Sequence, residues 1–440
     1  MKNPVQRFAA CMIAALGLTT VPAGATHPGT ADPGAEVIVE WNQLLQSSIP
    51  STASLLTPRY FAMLHIAMFD AANAIERQYT PYHARLLAHP GASPEAAAAQ
   101  AGHDVLVALI PTPEAKAIFD AALQARLASL PPWRAATGVA VGRKAASDIL
   151  AWRATDGSSA PNPAFNLPLL PGLYQPTSSQ PAQFVNFGEF APFALITPTQ
   201  YLPDPPPTLT SERYTADWDE VRTLGSATST VRTAEQTQTA RLFASVGNST
   251  IHFMMWNLVA RDVARQSQWS LLDTARLFAL MNAAMHDGLQ TSHTSKFVYG
   301  LWRPVTAIRR ADEDLNPATL ADPGWTPLIN TPPYPSHSSN MTCVGVSSAR
   351  ALARAFGRDD VPFSVTWIGT GGNANVTRQY TSFSELAQQQ ARSRVYGGIH
   401  FNFELEASTE SCTKVADWVA DNYMRQIGRA SCRERVFEAV

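Results

Sequence analysis

Two cations and a proline in the last third of the chain have a spacing that suits anion binding. Lys296 and Arg303-Pro304 are seven residues apart, which returns a helix to nearly the same face about 10 Å along its axis. If this segment is helical, both cations could face one anion, although Gly300 weakens that condition. The chain has five lysines, and Lys296 is set among apolar residues. We interpret the two cations as an anion-binding pair; a solvated surface pair is the alternative.

A second segment, Pro333 to Asn340, is typical of a helix start. Prolines followed by Ser336, His337 and further small polar residues precede an Ala-rich stretch with helical periodicity. The first turn of a helix has free N–H groups, and the helix dipole favours an anion there. Plain N-capping explains this segment equally well when it is taken alone.

The third segment combines a cation, a glycine pair and a histidine. Gly397 and Gly398 should end one helix and let the chain turn, so that Arg394 closes that helix and His400 opens the next. Glu404 follows His400 by one helical turn, where its carboxylate can fix the orientation and tautomer of the imidazole. A buried structural histidine is the alternative interpretation.

Together the three segments predict a pocket for a tetrahedral oxyanion. Lys296, Arg303 and Arg394 supply positive charge, and a helix start supplies N–H groups. His400 would be free to attack or bind the central atom of the anion.

These residues also form a recognisable pattern. Lys-x6-Arg-Pro, then Pro-Ser-x-x, then Ser-Arg-x5-His resembles the three-part signature shared by vanadium-dependent haloperoxidases and type 2 phosphatidic acid phosphatases. The sequences Leu-Trp-Arg-Pro-Val-Thr-Ala-Ile-Arg and Ser-Arg-Val-Tyr-Gly-Gly-Ile-His-Phe are similar to the soluble bacterial haloperoxidase branch. The similarity extends from about Trp41 to Trp418.

The resemblance implies that vanadate is the cofactor. His400 would be the vanadium ligand, and the residues that bind the vanadate oxygens would be Lys296, Arg303, Ser336 and Arg394. Hydrogen peroxide would be activated at this site, with Lys296 polarising it for attack by halide. The product would be a hypohalous acid equivalent that halogenates an organic acceptor.

The second segment departs from the family pattern. The family has Pro-Ser-Gly-His, whose histidine is the acid–base residue, whereas this chain has Pro335-Ser336-His337-Ser338. We expect His337 to take the catalytic acid–base role from a position shifted by one residue. Glu404 stands where the family has aspartate, and Thr331 stands where chloroperoxidases have Phe and bromoperoxidases His, so halide choice stays open.

Two other functions compete with haloperoxidase activity. The first is an acid phosphatase that acts on a phosphate ester through a phosphohistidine on His400, because phosphate and vanadate share shape and charge. The second is a non-catalytic protein that binds an oxyanion without turnover.

Periodicity predicts an all-α fold. Apolar residues recur at helical spacing in 58–76, 96–109, 114–129, 135–153, 232–246, 254–288, 338–356, 384–395 and 400–424. Residues 59–71 align with 276–288 at a constant offset of 217, which suggests a repeated helix. We predict an N-terminal bundle (36–157), a Pro-rich extended connection (158–209) and a C-terminal bundle with the oxyanion site (210–426), the two bundles packed side by side, as in vanadium haloperoxidases.

Composition and the two ends of the chain indicate which partners and which location to expect. With 33 Lys+Arg against 35 Asp+Glu, no broad basic surface is expected, and nucleic acid is not an expected partner. Residues 1–25 read as a signal peptide of a secreted or periplasmic bacterial protein, and no membrane span is expected. Residues 427–440 resemble translated library-adaptor sequence and are expected to be non-native. The oligomeric state stays open.

Two cysteines, an aspartate, two histidines and a glycine-rich segment carry weaker signals. Cys343 and Cys412 could form a disulfide or remain two buried thiols. Asp287 is expected to be a structural hydrogen-bond acceptor, and His286 and His293 to be core or surface residues near the pocket wall. Residues 369–374 loosely match a dinucleotide-binding glycine pattern but are expected to form a loop.

Overall fold

The structure, a computed structural model, describes residues 34–244, 251–368 and 375–428. The predicted signal peptide, the glycine pattern at 369–374 and most of the doubtful tail lie outside these ranges. The α-helices of the described ranges are α1 (Ala35–Ser48), α2 (Thr57–Glu76), α3 (Pro94–Leu109), α4 (Pro113–Ala128), α5 (Pro132–Arg153), α6 (Glu212–Leu224), α7 (Ala234–Leu242), α8 (Ile251–Ser267), α9 (Leu271–Tyr299), α10 (Pro304–Arg309), α11 (Asn340–Phe356), α12 (Phe383–Tyr396) and α13 (Asn402–Asn422). Three short 3-10 helices span Ser51–Leu56, Val185–Glu189 and Ala311–Glu313.

The described strands form one small antiparallel hairpin. Strand β1 (Phe363–Trp367) pairs with β2 (Val376–Tyr380), with Phe363 opposite Tyr380 and Trp367 opposite Val376. The all-α prediction is confirmed, since this hairpin is the only sheet within the described ranges. The helical periodicity gave no sign of it because each strand has only five residues.

Local sequence explains where many helices begin. Helices α3, α4 and α5 each start at a proline, whose fixed φ suits the first helical turn. Ser93 caps α3 by accepting from the Ala96 N–H, and Ser270 caps α9 by accepting from the Asp273 N–H. The predicted helix over 254–288 is two helices, because the chain breaks between Ser267 and Leu271. The prediction missed α1, α6 and the short α10.

Helix α9 is the central element of the fold. Its 29 residues are almost all buried, and it packs against α2, α11 and α13. Gly288 allows the close approach of α11, since a Cβ there would lie 2.1 Å from the Ser347 Oγ atom. This packing holds the C-terminal end of α9, where Lys296 lies, in the interior.

The two aligned segments, on α2 and α9, use their aspartates in the same way. Asp70 accepts hydrogen bonds from the backbone N–H groups of residues 82–84 at 2.8 to 2.9 Å. Asp287 accepts from those of residues 193–195 at 2.6 to 2.9 Å. Each carboxylate thus anchors an irregular segment to a buried helix, which agrees with the structural role expected for Asp287.

A buried polar network joins another aligned pair, His65 and Asn282. The Asn42 Nδ2 atom lies 2.8 Å from His65 Nε2 and donates to Asn257 Oδ1 at 2.8 Å. Asn257 in turn donates to Asn282 Oδ1 at 2.9 Å. One continuous apolar core surrounds this network and contains residues of both predicted bundles, so the domain boundaries stay a prediction.

The predicted connection over 158–209 contains no α-helix and no strand, only the 3-10 turn at Val185–Glu189. Its many prolines remove backbone donors and prevent a regular element. In the described part of the chain, no helix combines the length and apolar character that crossing a membrane requires.

A disulfide joins Cys343 on α11 to Cys412 on α13. It settles the alternative between a disulfide and two thiols. The bond connects the helices that follow the second and third sequence segments.

Replacing both cysteines with alanine is expected to lower the free energy of unfolding by roughly 4 kcal/mol, because the bond closes a long loop in the unfolded chain. The sequence separation is 69 residues. Urea unfolding of both proteins without reductant measures the difference, and a loss below about 1 kcal/mol would contradict the expectation.

Stability is also expected to fall in mild acid. Burial lowers the pKa of several histidines: to about 3 for His65, His252 and His293, to about 4 for His337, and also below 6.5 for His286 and His400. Between those values and 6.5 the unfolded chain binds more protons through these groups than the folded one, so stability is lost as pH falls. Burial raises the pKa of Asp70 to about 6 and that of Glu404 to about 7. Through these two groups the folded chain binds more protons than the unfolded one, so they add stability as the pH falls.

Because the effect of the buried histidines outweighs that of the buried carboxyl groups, the free energy of unfolding should fall by about 2 kcal/mol or more between pH 6.5 and pH 5.5. Urea unfolding at pH 6.5 and pH 5.5 measures the slope. A stability that is constant or higher at pH 5.5 would show that these histidines do not control it.

Candidate active site

Lys296 reaches the site from the last turn of α9. Its side chain is fully buried, and Nζ donates to the Ser336 carbonyl oxygen at 2.7 Å and also to that of Ser338. Burial, and then the charge of Arg303, lower the pKa of Lys296 well below its usual value. A bound anion would favour the charged form of this lysine.

Arg303 lies just before α10 and is also fully buried. Its Nε donates to the Tyr334 carbonyl at 2.8 Å, and Nη1 donates to the Ile399 carbonyl at 2.9 Å. Nη1 also lies 3.2 Å from the Nε2 atom of His400. Nη2 is buried and has no hydrogen-bond partner among the described residues. The two N–H groups of Nη2 are therefore left for a ligand.

Lys296 and Arg303 do not share a helix face. Helix α9 ends at Tyr299, and Gly300 adopts the left-handed conformation with φ of 58°. The two cations instead meet at Tyr334: Lys296 Nζ is 5.4 Å and Arg303 Cζ 5.1 Å from the centre of its ring. The interpretation from helical spacing was wrong, because the condition that the segment is helical fails at Gly300.

His400 and Glu404 form the pair that the sequence predicts. The His400 Nδ1 atom lies 2.7 Å from Glu404 Oε2, which also accepts from the Phe401 N–H at 2.9 Å and from the Ser336 hydroxyl at 3.0 Å. Because the carboxylate accepts, Nδ1 carries the imidazole proton and Nε2 keeps its lone pair. That lone pair lies on the Arg303 side of the ring.

The electrostatics keep this imidazole neutral. Burial, followed by the charges of Arg303, Lys296 and Arg394, lowers the pKa of His400 well below 6.5. Burial raises the pKa of Glu404 to about 7, although the nearby cations oppose that shift. In this state the unprotonated Nε2 accepts a hydrogen bond from Arg303 Nη1, and it can bind an electrophilic centre that displaces that hydrogen bond.

Arg394 and the glycine turn are placed as predicted. Arg394 lies in the last turn of α12, which Gly397 ends, and Gly398 turns the chain with φ of 78°. A Cβ on Gly398 would lie 2.4 Å from the Gly225 carbonyl oxygen, so this position requires glycine. Arg394 donates to the Phe243 carbonyl, and burial lowers its pKa to about 10, so it stays charged at neutral pH.

Ser336 lies in the site, but its hydroxyl is engaged. It is fully buried, and its proton is donated to Glu404 at 3.0 Å. Donation to an oxyanion would require the hydroxyl to rotate away from that carboxylate.

His337 and Ser338 have different surroundings. The His337 Nε2 donates to the Asp204 carbonyl at 2.8 Å, and the buried Nδ1 has no partner within the described ranges. Ser338, where the family has histidine, accepts from and donates to serines of α9: Ser295 at 3.2 Å and Ser292 at 3.1 Å. The side chain of Ser338 is therefore held by hydroxyl groups, while its carbonyl accepts from Lys296.

Sequence analysis missed several residues around this site. Tyr334 was expected only as part of a helix start, yet its ring lies close to the cations of Lys296 and Arg303. Ser292 lies three residues before Ser295 and four residues before Lys296, and all three are buried on α9. Polar residues at i, i+3 and i+4 in an otherwise apolar helix could have indicated them.

Replacing Glu404 with glutamine is expected to weaken the binding of an oxyanion at His400 about tenfold, because the neutral amide makes Nε2 a weaker donor. Alanine at this position also removes the hydrogen bond that orients the His400 ring, so it should weaken oxyanion binding about 100-fold. Calorimetric titration with orthovanadate measures both, with Glu114→Gln on the exposed start of α4 as the control. Equal affinities in the wild type and all three variants would show that Glu404 does not contribute to oxyanion binding.

Comparisons with known proteins agree with the pattern of this site. Residues 276–429 match the family described as the VCPO second helical-bundle domain. Over this segment the chain is similar to the vanadium haloperoxidases. A vanadium chloroperoxidase of Curvularia inaequalis is 25% identical over an alignment of 271 residues, with 48% of this chain and 44% of that protein covered. The alignment thus spans less than half the length of this relative.

Solved structures show the same fold. A bacterial vanadium-dependent iodoperoxidase superposes with a TM-score of 0.74 at 21% identity, over 92% of this chain and 100% of that one. A holo-type bacterial vanadium-dependent chloroperoxidase gives a TM-score of 0.68 at 14% identity, over 85% and 93% of the two chains. The all-α architecture is that of the vanadium haloperoxidases.

Proposed function

We propose that this protein is a vanadate-dependent haloperoxidase. In the reaction, hydrogen peroxide, halide and a proton give hypohalous acid and water, and the hypohalous acid then halogenates an organic acceptor. The observation that carries the proposal is the buried Arg303 Nη2, which has no protein partner, beside the neutral Nε2 of His400. A buried guanidinium N–H without an acceptor is costly, and an oxyanion oxygen would satisfy it.

The residues fit vanadate. Lys296, Arg303 and Arg394 bring three cations against the one carboxylate of Glu404, which leaves a surplus of positive charge for an anion. His400 would bind the vanadium through Nε2, and the cations would hold the oxygens together with Ser336. When bound, vanadate supplies a Lewis-acidic centre at which peroxide becomes reactive toward halide.

The protein residues have separate roles in this proposal. Glu404 keeps the proton of His400 on Nδ1, so that Nε2 faces the ligand. Arg303 and Arg394 hold negative charge in a site from which water is largely excluded. Lys296 polarises the peroxide, using the N–H that its two carbonyl partners leave free.

His337 would serve as the proton carrier. Its Nε2 proton is committed to the Asp204 carbonyl, so Nδ1 holds a lone pair that can accept a proton. Burial lowers the pKa of His337 to about 4, which keeps the ring neutral at physiological pH. When His337 is protonated, its positive charge lowers the pKa of His400. The protonation states of the two imidazoles therefore depend on each other.

Export is part of the proposal. The signal-peptide pattern over 1–25 and the Cys343–Cys412 disulfide both suit a secreted or periplasmic protein. N-terminal sequencing of the mature protein from the culture medium or periplasm tests this, with cleavage expected after Ala25.

The experiment that tests the function is bromination of a dione reporter with bromide and peroxide, with and without added vanadate. Vanadate-dependent turnover supports the proposal, and repeating the assay with iodide and chloride gives the halide preference. Hydrolysis of a phosphate ester without bromination would favour the phosphatase alternative. Vanadate binding without either reaction would favour the oxyanion-binding alternative.

A further inference from the structure

A cavity of about 460 Å³ lies outside the residues assigned so far. Residues 200–205 and Pro207 of the Pro-rich connection line it on one side, with Arg213 of α6 beside them. One face of α13 lines it on the other side, with Phe403, Glu406, Ala407, Glu410, Ser411 and Lys414. The volume falls within the range of about 300 to 1,000 Å³ that small-molecule sites occupy.

The cavity wall is connected to the candidate active site through His337. The His337 ring donates to the backbone of Asp204 at 2.8 Å and lies 6.1 Å from the ring of Phe403. Both of these residues line the cavity. Lys296 donates to the carbonyls on either side of His337, those of Ser336 and Ser338. One buried residue therefore contacts both the cavity wall and the backbone that Lys296 holds.

The lining combines an apolar face with an excess of negative charge. Phe403, Tyr201 and three prolines supply the apolar face. Arg213 pairs with Glu406 at 2.8 Å, and Lys414 pairs with Glu410 at 2.7 Å.

The fifth charged group of the lining is the carboxylate of Asp204. Within the described ranges, no ion pair or side-chain hydrogen bond engages it at short range, and its charge acts on Lys414 from farther away. Three carboxylates against two cations leave one negative charge, which favours a cationic guest.

We propose that this cavity binds the organic acceptor, an electron-rich aromatic ring that carries a protonated amine. The inference rests on the proposed haloperoxidase function, which supplies the hypohalous acid. In the halogenation step a carbon–halogen bond forms on the ring and a carbon–hydrogen bond breaks. The released proton joins the hydroxide of the hypohalous acid as water. The aromatic wall packs against the ring, and the Asp204 carboxylate pairs with the ammonium group.

Binding of tryptamine to the full, vanadate-free protein tests the cavity without any reading of activity. Ala407→Trp fills the cavity from α13, whereas Thr409→Trp adds the same side chain to an exposed position of that helix outside the lining. We expect the wild type and Thr409→Trp to bind tryptamine alike, and Ala407→Trp to bind at least about tenfold more weakly. No binding by the wild type, or equal binding by Ala407→Trp, overturns the proposal.

Competition between two acceptors tests the charge. Tryptamine is cationic and indole-3-acetate anionic at neutral pH, and free hypohalous acid would brominate their rings without regard to Asp204. We expect the enzyme to favour tryptamine, and Asp204→Asn to reduce that preference about fivefold. An unchanged preference in Asp204→Asn overturns the assignment of the carboxylate.

The dione assay keeps the two proposals distinct. If tryptamine binds but the dione is not brominated with vanadate, the haloperoxidase function fails and the acceptor role with it. If the dione is brominated equally well by the wild type and Ala407→Trp, and tryptamine does not bind, the haloperoxidase function stands and the cavity is not the acceptor site.

Discussion

His400→Ala is expected to lose vanadate binding and, with it, halogenation of the dione reporter. The imidazole Nε2 is the only group of the proposed site that would bond to vanadium, whereas the cations hold its oxygens. Losing a residue that merely orients a metal ligand costs about 10- to 100-fold in affinity, so losing the ligand should cost at least about 100-fold. Calorimetric titration with orthovanadate gives the affinity, and the dione assay at saturating peroxide and bromide gives the rate.

His89→Ala is the matched control, because this histidine is exposed and lies between α2 and α3, outside the site. It should retain the affinity and rate of the wild type. If His400→Ala binds vanadate within about threefold of the wild type, the ligand assignment is wrong.

His337→Ala should lower kcat by about 100-fold or more and leave the affinity for vanadate nearly unchanged. The reason is that general acid–base groups contribute about 10²- to 10⁴-fold to a rate, whereas His337 donates to Asp204 and is not among the residues proposed to hold the oxyanion. The measurement is the rate of dione bromination at saturating vanadate, together with the vanadate titration.

His337→Gln distinguishes proton transfer from a structural role. The glutamine amide can still donate to the Asp204 carbonyl but cannot carry a proton at neutral pH. If His337 transfers a proton, the glutamine variant should be as slow as the alanine variant. A glutamine variant with wild-type kcat would mean that His337 only supports the neighbouring backbone.

Short-range patterns predicted much of the candidate site. The glycine pair after Arg394 ends one helix and starts the next, and the four-residue step from His400 to Glu404 puts the carboxylate on the imidazole. These relations depend on a few consecutive residues, so the sequence contains the information for them. Helix positions were predicted well for the same reason, except where a polar stretch hides the apolar face, as in α6.

Contacts between distant segments could not be predicted in this way. Lys296 and Arg303 converge because Gly300 redirects the chain and Tyr334, some 30 residues later, brings its ring against both cations. The contact between His337 and the Asp204 carbonyl spans 133 residues and involves the backbone of an irregular segment. Such pairings depend on the packing of the whole fold, and spacing along one segment carries no record of them.

A crystal structure of the protein soaked in orthovanadate would test the central claim most directly. We expect vanadium bonded to the Nε2 atom of His400, with the vanadate oxygens within hydrogen-bonding distance of Arg303, Lys296 and Arg394. Glu404 should still accept the Nδ1 proton of His400. Vanadate bound elsewhere, or a His400 that remains unligated in crystals at saturating vanadate, would contradict the account.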